Sequence, residues 1–387
     1  MGEVLECLEK DYPIIETNHD NARPTMPPFR IQKAVVFPCN KEVHSVIRYA
    51  KDLTFQLIDV YDVKQTFRVG RSTINILDDV TIPNYIVKNI NDIEWNSFDT
   101  LVLGCVFELI NLLKGIHWLK KLLNEALQRG KCIYAFEEIG ELIEIDKYPG
   151  KVYYPAVLQE NVPPYRGFRL FRTAIPIVGV YGTSSQQGKF TVQMLLRKEF
   201  QRMGYSVGQI GTEPSALLFG MDYIFPMGYH SSIHIGENDQ MIYANDLLRR
   251  LCERNPDIVF VGSQMGTVPS DFGNLIYYCN KSYPFQGGVK PDYGIVMLSL
   301  SDDNNYIRRT VDFLRAFTET ETLVFVLFPL CSIDSNRETL PHKRRVSADE
   351  YSLFKKRVES AFEVPVLFLD SQMLATELAQ ILLDKFI

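Results

Sequence analysis

The stretch from Gly179 to Thr191 reads GVYGTSSQQGKFT and continues the apolar segment AIPIV that precedes it. After it, the apolar residues of KFTVQMLLRKEFQRM recur at helical spacing up to Gly204. A strand that runs through a glycine turn into a helix presents backbone amides and the positive end of the helix dipole to an anion. The stretch therefore predicts a phosphate-binding loop in an α/β domain.

The spacing of this loop differs from the common P-loop pattern, in which four residues separate the first glycine from Gly-Lys-Ser/Thr. Here five residues separate Gly182 from Gly188, and Phe190 occupies the position of the magnesium-binding hydroxyl. Lys189 is a positive charge for phosphate oxygens, which favours a phosphate loop over a turn that only joins a strand to a helix. The predicted phosphate and cofactor contacts are Gly182, Thr183, Ser184, Ser185, Gln186, Gln187, Gly188, Lys189, Phe190 and Thr191.

Apolar segments alternate with helical segments over both halves of the chain, which predicts parallel sheets covered by helices on both faces. In the first half, strands are predicted at 33–39, 55–62, 98–106 and 131–136, and helices at 41–51 and 112–130. In the second half, strands are predicted at 175–182, 205–212, 257–263, 293–300, 322–330 and 364–371. The fold class is α/β, with an N-terminal Rossmann-like parallel-sheet domain and a C-terminal P-loop NTPase-like doubly wound domain.

Prolines and glycine interrupt this alternation between 137 and 173, and the domain junction is predicted there. We expect an N-terminal arm at 1–30, the Rossmann-like domain at 31–140, a linker at 141–173 and the P-loop domain at 174–387.

The composition limits the classes of partner that the protein is expected to bind. The net charge of −6 and the sequence pI near 5.7 give no overall positive field, so nucleic acid and anionic membranes are not expected partners. No apolar run reaches the roughly 18 residues of a membrane span, and the acidic start is unlike a signal peptide. The expected protein is cytoplasmic and binds a small-molecule substrate, and homo-oligomer formation is left open.

The loop resembles that of dethiobiotin synthetase and the related cobyrinate enzymes, which begin GTxxxxGK and activate carboxylates with ATP and magnesium. Over nearly the whole chain, GTSSQQGKFT, IGTEPSALLFGMDYIFPMG, PDIVFVGSQMG and KPDYGIVMLSL resemble the D-glutamate N-acetyltransferase-like family of two-domain proteins. In that family the loop ends Gly-Lys-Met-Thr, so Gly188-Lys189-Phe190-Thr191 is similar to the family form. The resemblance implies a Rossmann-like domain followed by a P-loop domain.

Two strand ends differ from the family and indicate a divergent branch. Gly211-Thr212-Glu213 stands where the family has Thr-Gly-Gln, and Gly262-Ser263-Gln264-Met265-Gly266 lacks the acid of the family's Glu-Gly-Gln-Gly. We therefore predict that a magnesium-supporting carboxylate has moved between neighbouring strand ends, to Glu213.

Further candidates lie at the carboxyl edge of the predicted second sheet, where ligands of open α/β folds bind. Lys189 and Glu213 are the candidates for catalysis. Glu213 is also a candidate for magnesium, with a solvated loop acid as its alternative. Thr191 is the second metal candidate, and a helix threonine bonded to its own backbone is its alternative. Substrate contacts are predicted for Asp222, Ser263, Gln264 and Gly266. The alternative for Asp222 is an aspartate that caps a turn, and the alternative for the other three is an ordinary Gly-Pro loop.

Two clusters of polar residues are interpreted as parts of the surface that bind no ligand. His230 and His234 are four residues apart, but two ligands are too few for a zinc site, and a polar turn is favoured. The segment HKRRVS, from His342 to Ser347, is interpreted as a solvated loop, with anion binding as the alternative.

The leading interpretation is a P-loop enzyme of the ligase or kinase type that uses ATP and Mg²⁺ on a small amino-acid-like or carboxylate substrate. The family resemblance implies a first alternative, an acetyl-CoA-dependent N-acyltransferase acting on an amino acid such as D-glutamate. A nucleotide-dependent regulatory or binding module is the second alternative. ATP is preferred over GTP because no guanine signature follows the expected strand.

Overall fold

The computed structural model describes residues 25–113, 115–164, 169–228, 231–332 and 343–386, and the statements below concern these residues. Most of the predicted arm, up to residue 24, and residues 165–168 of the predicted linker lie outside them. Within the described chain, none of the helices has the length and apolar character that a membrane span requires.

Two parallel sheets carry the fold, which is α/β as the alternation of apolar and helical segments predicts. The first has six strands in the order β3-β2-β1-β4-β5-β6. Its strands are β1 (Lys33–Phe37), β2 (Gln56–Asp62), β3 (Lys88–Asn89), β4 (Thr100–Leu103), β5 (Cys132–Ala135) and β6 (Val152–Tyr153). Because β6 pairs with β5, the first sheet extends into the 141–173 segment expected to be linker.

The second sheet has seven parallel strands in the order β15-β12-β11-β7-β10-β8-β9. They are β7 (Ile177–Gly182), β8 (Val207–Gly211), β9 (Tyr223–Ile224), β10 (Ile258–Gly262), β11 (Tyr293–Leu298), β12 (Glu321–Leu327) and β15 (Val366–Phe368). A small antiparallel pair comprises β13 (Leu330–Ser332) and β14 (Lys343–Arg345). Strands β7 and β10 are buried along their whole length, as continuous apolar strands covered on both faces should be.

The helices cover both sheets. They are α1 (His44–Arg48), α2 (Thr73–Leu77), α3 (Phe107–Leu113), α4 (His117–Gln128), α5 (Lys189–Arg202), α6 (Glu237–Cys252), α7 (Ser282–Val289), α8 (Asn304–Thr318), α9 (Ala348–Phe362) and α10 (Leu374–Phe386). Side-chain caps fix two of the starts: Asp303 accepts from the Tyr306 amide at 2.8 Å, and Ser347 forms a capping box with Glu350.

Two helices of the first half are shorter than predicted. The 41–51 helix is reduced to α1 between 3-10 turns, since the adjacent β-branched Val46 and Ile47 disfavour helix and Tyr49 leaves the helical backbone region. The 112–130 helix begins only at His117, after Gly115, while a separate α3 starts at Phe107.

The two sheets share one hydrophobic cluster. It joins β1 and α1 residues such as Val36 and Ile47 to Leu217 and Phe219 of the second domain. Polar contacts cross the same boundary, including the Tyr134 hydroxyl, which donates to the Pro214 carbonyl at 2.7 Å. The packing therefore holds the two sheets against each other.

Candidate phosphate-binding site

The predicted phosphate loop lies between the end of β7 and the start of α5. Gln186 (φ 57) and Gly188 (φ 83) both adopt the left-handed conformation, which bends the chain so that it enters α5 directly. At Gly182 a Cβ atom would lie 2.6 Å from Gln187 Oε1, so a side chain there would displace the Gln187 amide. The first amides of a helix have no intrahelical acceptor and bind anions. The loop therefore has the backbone of a phosphate site.

Lys189 spans this loop with a buried amine. Its side chain is 7% exposed, and Nζ donates to the carbonyls of Ser184 at 2.7 Å and Met265 at 2.8 Å. Burial lowers the pKa of Lys189 to about 8, against the opposing influence of the Glu213 carboxylate and Cys279. A phosphate at the loop would oppose the effect of burial and favour the charged amine.

Gln187 and Thr183 brace the loop from inside the domain. The Gln187 side chain accepts from the Ser184 amide at 2.8 Å and donates to Thr183 Oγ1 and Ser299 Oγ, both at 2.7 Å. Thr183 donates to Asp302 Oδ2 at 2.6 Å, and the same oxygen accepts from the Ser299 amide at 2.7 Å. Ser299 and Asp302 had no local signal in the sequence, because they lie more than a hundred positions away from the loop.

Phe190 and Thr191 turn towards the first domain. The Phe190 ring packs against Phe219, with centroids 5.2 Å apart, and against Tyr49, at 5.9 Å. The Tyr49 hydroxyl donates to Thr191 Oγ1 at 2.6 Å. These contacts place both side chains in the boundary between the domains. The magnesium role of Thr191 stays a prediction that its observed contacts do not support.

Glu213 and Gln264 lie beside the lysine, as expected of residues at neighbouring strand ends. Gln264 Nε2 donates to Glu213 Oε1 at 2.8 Å and to Thr212 Oγ1 at 3.2 Å. Burial lowers the pKa of Lys189, and the Glu213 carboxylate opposes this effect by favouring the charged amine. The structure thus brings together Lys189, Glu213 and Gln264 at the carboxyl edge of the second sheet.

The loop after β10 packs directly on the phosphate loop. A Cβ at Gly266 would lie 2.5 Å from the Thr183 carbonyl oxygen, so glycine permits this close approach. The Thr267 amide donates to the Gly182 carbonyl at 2.8 Å. Ser263 is buried and donates to the Val180 carbonyl at 2.9 Å, a contact that ties β10 to β7. Substrate contacts of Ser263 and Gly266 stay predictions.

Asp222 has partners of its own. Its carboxylate accepts from the Gln209 amide at 2.8 Å and pairs with Arg254, and neither partner belongs to the phosphate loop. The structure therefore does not join Asp222 to the Lys189 group, and its substrate contact stays a prediction. At Gly262, where the family has an acid, a Cβ would lie 2.7 Å from Gln193 Nε2, so the chain has no room for one without a shift.

The histidine and basic clusters fall partly outside the described residues, which exclude His230 and His342. His234 Nε2 lies 2.8 Å from Glu138 Oε1 of the first domain, and Arg344 pairs with Glu350 at 2.6 Å. Over the described ranges, no three His, Cys, Asp or Glu side chains are grouped as a metal site would need.

Comparison with solved structures identifies similar folds. A DUF1611 family protein from Anabaena variabilis has a TM-score of 0.59 and 13% identity, covering 91% of this chain and 99% of that one. A nucleotide-binding protein in complex with ADP from Archaeoglobus fulgidus has a TM-score of 0.33 and 13% identity, covering 54% of this chain and 87% of its own. The signal recognition particle 54 kDa protein from Aeropyrum pernix, in complex with GDP, has a TM-score of 0.32 and 14% identity, covering 59% and 54%.

The first likeness extends over nearly the full length of both chains, whereas the other two are too weak to carry an argument. No family model and no curated protein matches the sequence. The description of the first structure names no activity, so the D-glutamate N-acetyltransferase activity implied by the sequence resemblance stays a proposal. The conclusion from these comparisons is that the chain is similar in fold to a DUF1611 family protein.

Proposed function

We propose that the chain is a P-loop enzyme that binds ATP with magnesium and acts on a small amino-acid-like or carboxylate substrate. The observation that carries this proposal is the loop from Gly182 to Lys189, with its left-handed Gln186 and Gly188 and its buried lysine beside Glu213. Such a backbone binds anions, and phosphate groups are among its common ligands.

The phosphates would be held by the amides at the start of α5 and by the Lys189 amine. In phosphoryl transfer, catalysis is largely positioning and stabilisation of charge on the phosphate oxygens. Lys189 fits that role because its amine is held by the carbonyls of Ser184 and Met265, which leaves little freedom to lose when a phosphate arrives.

Magnesium would depend on Glu213. Phe190 supplies no hydroxyl, and Thr191 already accepts a hydrogen bond from Tyr49. Glu213 is oriented by Gln264, and a carboxylate oxygen is the ligand that Mg²⁺ prefers. When bound, the metal would neutralise charge on the phosphates.

Acetyl-CoA-dependent N-acyl transfer is the second candidate, and one observation favours it. Phe190, whose ring packs on Phe219 and Tyr49, stands at the position where the common P-loop pattern has the hydroxyl that holds magnesium. The phosphates of coenzyme A need no metal to bind amides and a lysine. Under this alternative the same loop holds the coenzyme and the amino acid is the acceptor.

Thermal shift with ATP, GTP and acetyl-CoA, each with magnesium and with EDTA, tests the proposal. A ligand present at 100 times its Kd adds about 2.7 kcal/mol to the free energy of unfolding. We expect the largest increase in Tm with ATP and magnesium, and its loss in Lys189→Ala. Lys290→Ala, which removes a lysine that pairs with Glu319, is the matched control and should respond like the wild type.

The outcomes separate the candidates. A preference for acetyl-CoA that does not depend on magnesium would replace the first function by the second. An unchanged response in a folded Lys189→Ala protein would contradict both, because each depends on the phosphate loop.

A further inference from the structure

The side chain of Gln187 is buried within the phosphate loop, beside the Lys189 amine. It is 2% exposed, and its Oε1 accepts a hydrogen bond from the Ser184 amide at 2.8 Å. A Cβ atom at Gly182 would lie 2.6 Å from this oxygen and 3.4 Å from Lys189 Nζ. The carboxamide oxygen and the lysine amine therefore lie on the same side of Gly182.

Hydrogen bonds fix the orientation of the Gln187 carboxamide. Thr183 Oγ1 donates its proton to Asp302 Oδ2 at 2.6 Å, so the same hydroxyl can only accept from Gln187 Nε2, which lies 2.7 Å away. Nε2 also donates to Ser299 Oγ at 2.7 Å. Because the nitrogen is bound to these two hydroxyls, the oxygen of the carboxamide faces the Ser184 amide.

The Ser184 amide is one of the backbone donors that a phosphate loop offers to its ligand. In such loops the amides hold the inner phosphates, and the lysine reaches the outer ones. Lys189 Nζ donates to the Ser184 carbonyl at 2.7 Å, so this part of the loop lies next to the amine. The amides that begin α5 follow Gly188, at the other end of the loop. Of the phosphates of ATP, the terminal one would therefore approach the Ser184 amide.

Gln187 Oε1 and a phosphate oxygen at this position need the same donor. A backbone amide has one hydrogen to donate, so a phosphate bound to the Ser184 amide must displace the carboxamide. A hydrogen bond to a charged phosphate is stronger than the neutral one, and the phosphate can therefore take its place. The displaced oxygen loses its partner, which lowers the affinity for any ligand that causes the displacement. A ligand without a phosphate at this position has no such loss.

We propose that Gln187 is a specificity-determining residue that lowers the affinity of the loop for a third phosphate. ADP, held by the first amides of α5 and by Lys189, leaves Gln187 in place, whereas ATP displaces it. The assignment of these phosphates to a nucleotide rests on the proposed function, but the competition for the Ser184 amide does not.

Calorimetric titration of ATP and of ADP in EDTA tests the competition without any contribution from magnesium. Gln187→Ala removes the competing oxygen and should tighten ATP binding about 2- to 10-fold, the range for one hydrogen bond. ADP affinity should change by less than about 2-fold, because ADP does not use the Ser184 amide. The ratio of the two affinities is the readout, since a general loosening of the loop would change both alike.

A second variant puts a charge at the same position. Gln187→Glu brings a carboxylate that repels the terminal phosphate and binds the Ser184 amide more strongly than the carboxamide does. ATP affinity should fall about 10-fold or more, and ADP affinity should fall less because its phosphates lie farther away. Thermal melting shows which variants are folded, and if this one is not, the ratio in Gln187→Ala decides.

Gln286→Ala is the matched control. Gln286 is also a buried glutamine, 1% exposed, and its Nε2 also donates to a hydroxyl, Ser282 Oγ, at 2.9 Å. Both residues belong to α7 and neither is part of the phosphate loop. The affinities of this variant for ATP and ADP should stay at the wild-type values.

The inference is overturned if Gln187→Ala leaves the ratio of ATP to ADP affinity unchanged or shifts it towards ADP. Inorganic triphosphate and pyrophosphate, titrated in parallel, keep the inference apart from the proposed function. If Gln187→Ala tightens triphosphate alone and ATP does not bind, the role of Gln187 stands and the proposed function is contradicted. ATP binding with an unchanged ratio would do the reverse, and no binding of any of the four ligands would contradict both.

Discussion

The turns that follow β1 and β7 differ in what they do with their backbone amides. After β7, two left-handed residues lead into α5, a helix of 14 residues whose first amides remain at the loop. After β1, the Asn40 amide donates to the Pro38 carbonyl at 2.9 Å, and the Val43 amide donates to the Asn40 carbonyl at 3.2 Å. The helix that follows, α1, has only five residues.

The comparison shows how the turns of two parallel sheets differ in the backbone amides that they leave for a ligand. The second domain offers main-chain donors and a lysine, which suit an anion. In the first domain two amides of the turn are bonded within the turn itself. The cavity of about 480 Å³ beside that domain is lined by side chains that include Glu138 and His234.

Removing the buried cation of the second domain should give the largest effect. Burial lowers the pKa of Lys189 from 10.5 to about 8, so the unfolded chain binds this proton more tightly than the folded protein does. Burying the charged amine therefore lowers the free energy of unfolding. This loss is fully present below pH 8 and disappears as the pH rises to 10.5. Lys189→Met should therefore raise the free energy of unfolding at pH 7, by about 1–3 kcal/mol.

Urea unfolding at pH 7 and at pH 10 checks this expectation. The advantage of Lys189→Met over the wild type should shrink at the higher pH. Lys355→Met, at a more exposed lysine of α9, should show no such change. An advantage that is the same at both pH values would mean that the proton on Lys189 is not its cause.

Alanine at two glycines compares the tolerance of the two sites. Gly266→Ala puts a Cβ 2.5 Å from the backbone oxygen of Thr183, and should cost about 1–3 kcal/mol of stability because the phosphate loop must shift. Gly140→Ala puts a Cβ 3.6 Å from the Tyr154 hydroxyl, an ordinary contact, and should change stability by less than about 0.5 kcal/mol. Chemical denaturation measures the free energy of unfolding of both variants. An equal loss of stability in the two would contradict the expected difference between the sites.

Glutamine at Glu213 and at Glu138 tests whether magnesium-dependent ATP binding needs the first carboxylate and not the second. Glu213→Gln should weaken ATP binding about 10-fold with magnesium and leave it unchanged in EDTA, since only the metal needs the charge. Glu138→Gln should leave ATP binding unchanged in both conditions. Calorimetric titration measures the ATP affinity of both variants with magnesium and with EDTA. If Glu213→Gln loses as much affinity in EDTA as with magnesium, Glu213 is not part of a metal site.

The smallest effect is expected where the domains meet. Tyr49→Phe removes the hydroxyl that donates to Thr191 Oγ1 at 2.6 Å, and should cost about 0.5–1.5 kcal/mol of stability. In a double-mutant cycle with Thr191→Val, the second change should add little once the first is made. Fully additive losses would show that the two groups do not depend on each other.

The phosphate loop could be predicted because its parts are contiguous in sequence. Strand, turn, Lys189 and helix all fall between 174 and 204, and local pattern is enough to recognise them. The position of Glu213 and Gln264 at the edge of the second sheet could also be predicted, because the carboxyl ends of parallel strands lie at the same edge.

The rest depends on contacts that no local pattern encodes. Thr191 and Tyr49 are 142 positions apart, and Thr183 and Asp302 are 119 apart. Phe107, Glu138 and His234 come from three separate segments, so the cavity exists only after the domains have packed together. The linker at 141–173 is predicted from prolines and glycine, which do not reveal that Val152 and Tyr153 pair with β5.

The shared hydrophobic cluster has a consequence for how the chain folds during synthesis. Val36 and Ile47 leave the ribosome long before Leu217 and Phe219, which belong to the same hydrophobic cluster in the folded protein. Until those residues emerge, the first sheet has an uncovered apolar face of the kind that chaperones bind and that aggregates. The nascent first domain must therefore wait for part of the second, and the finished molecule should unfold as one cooperative unit.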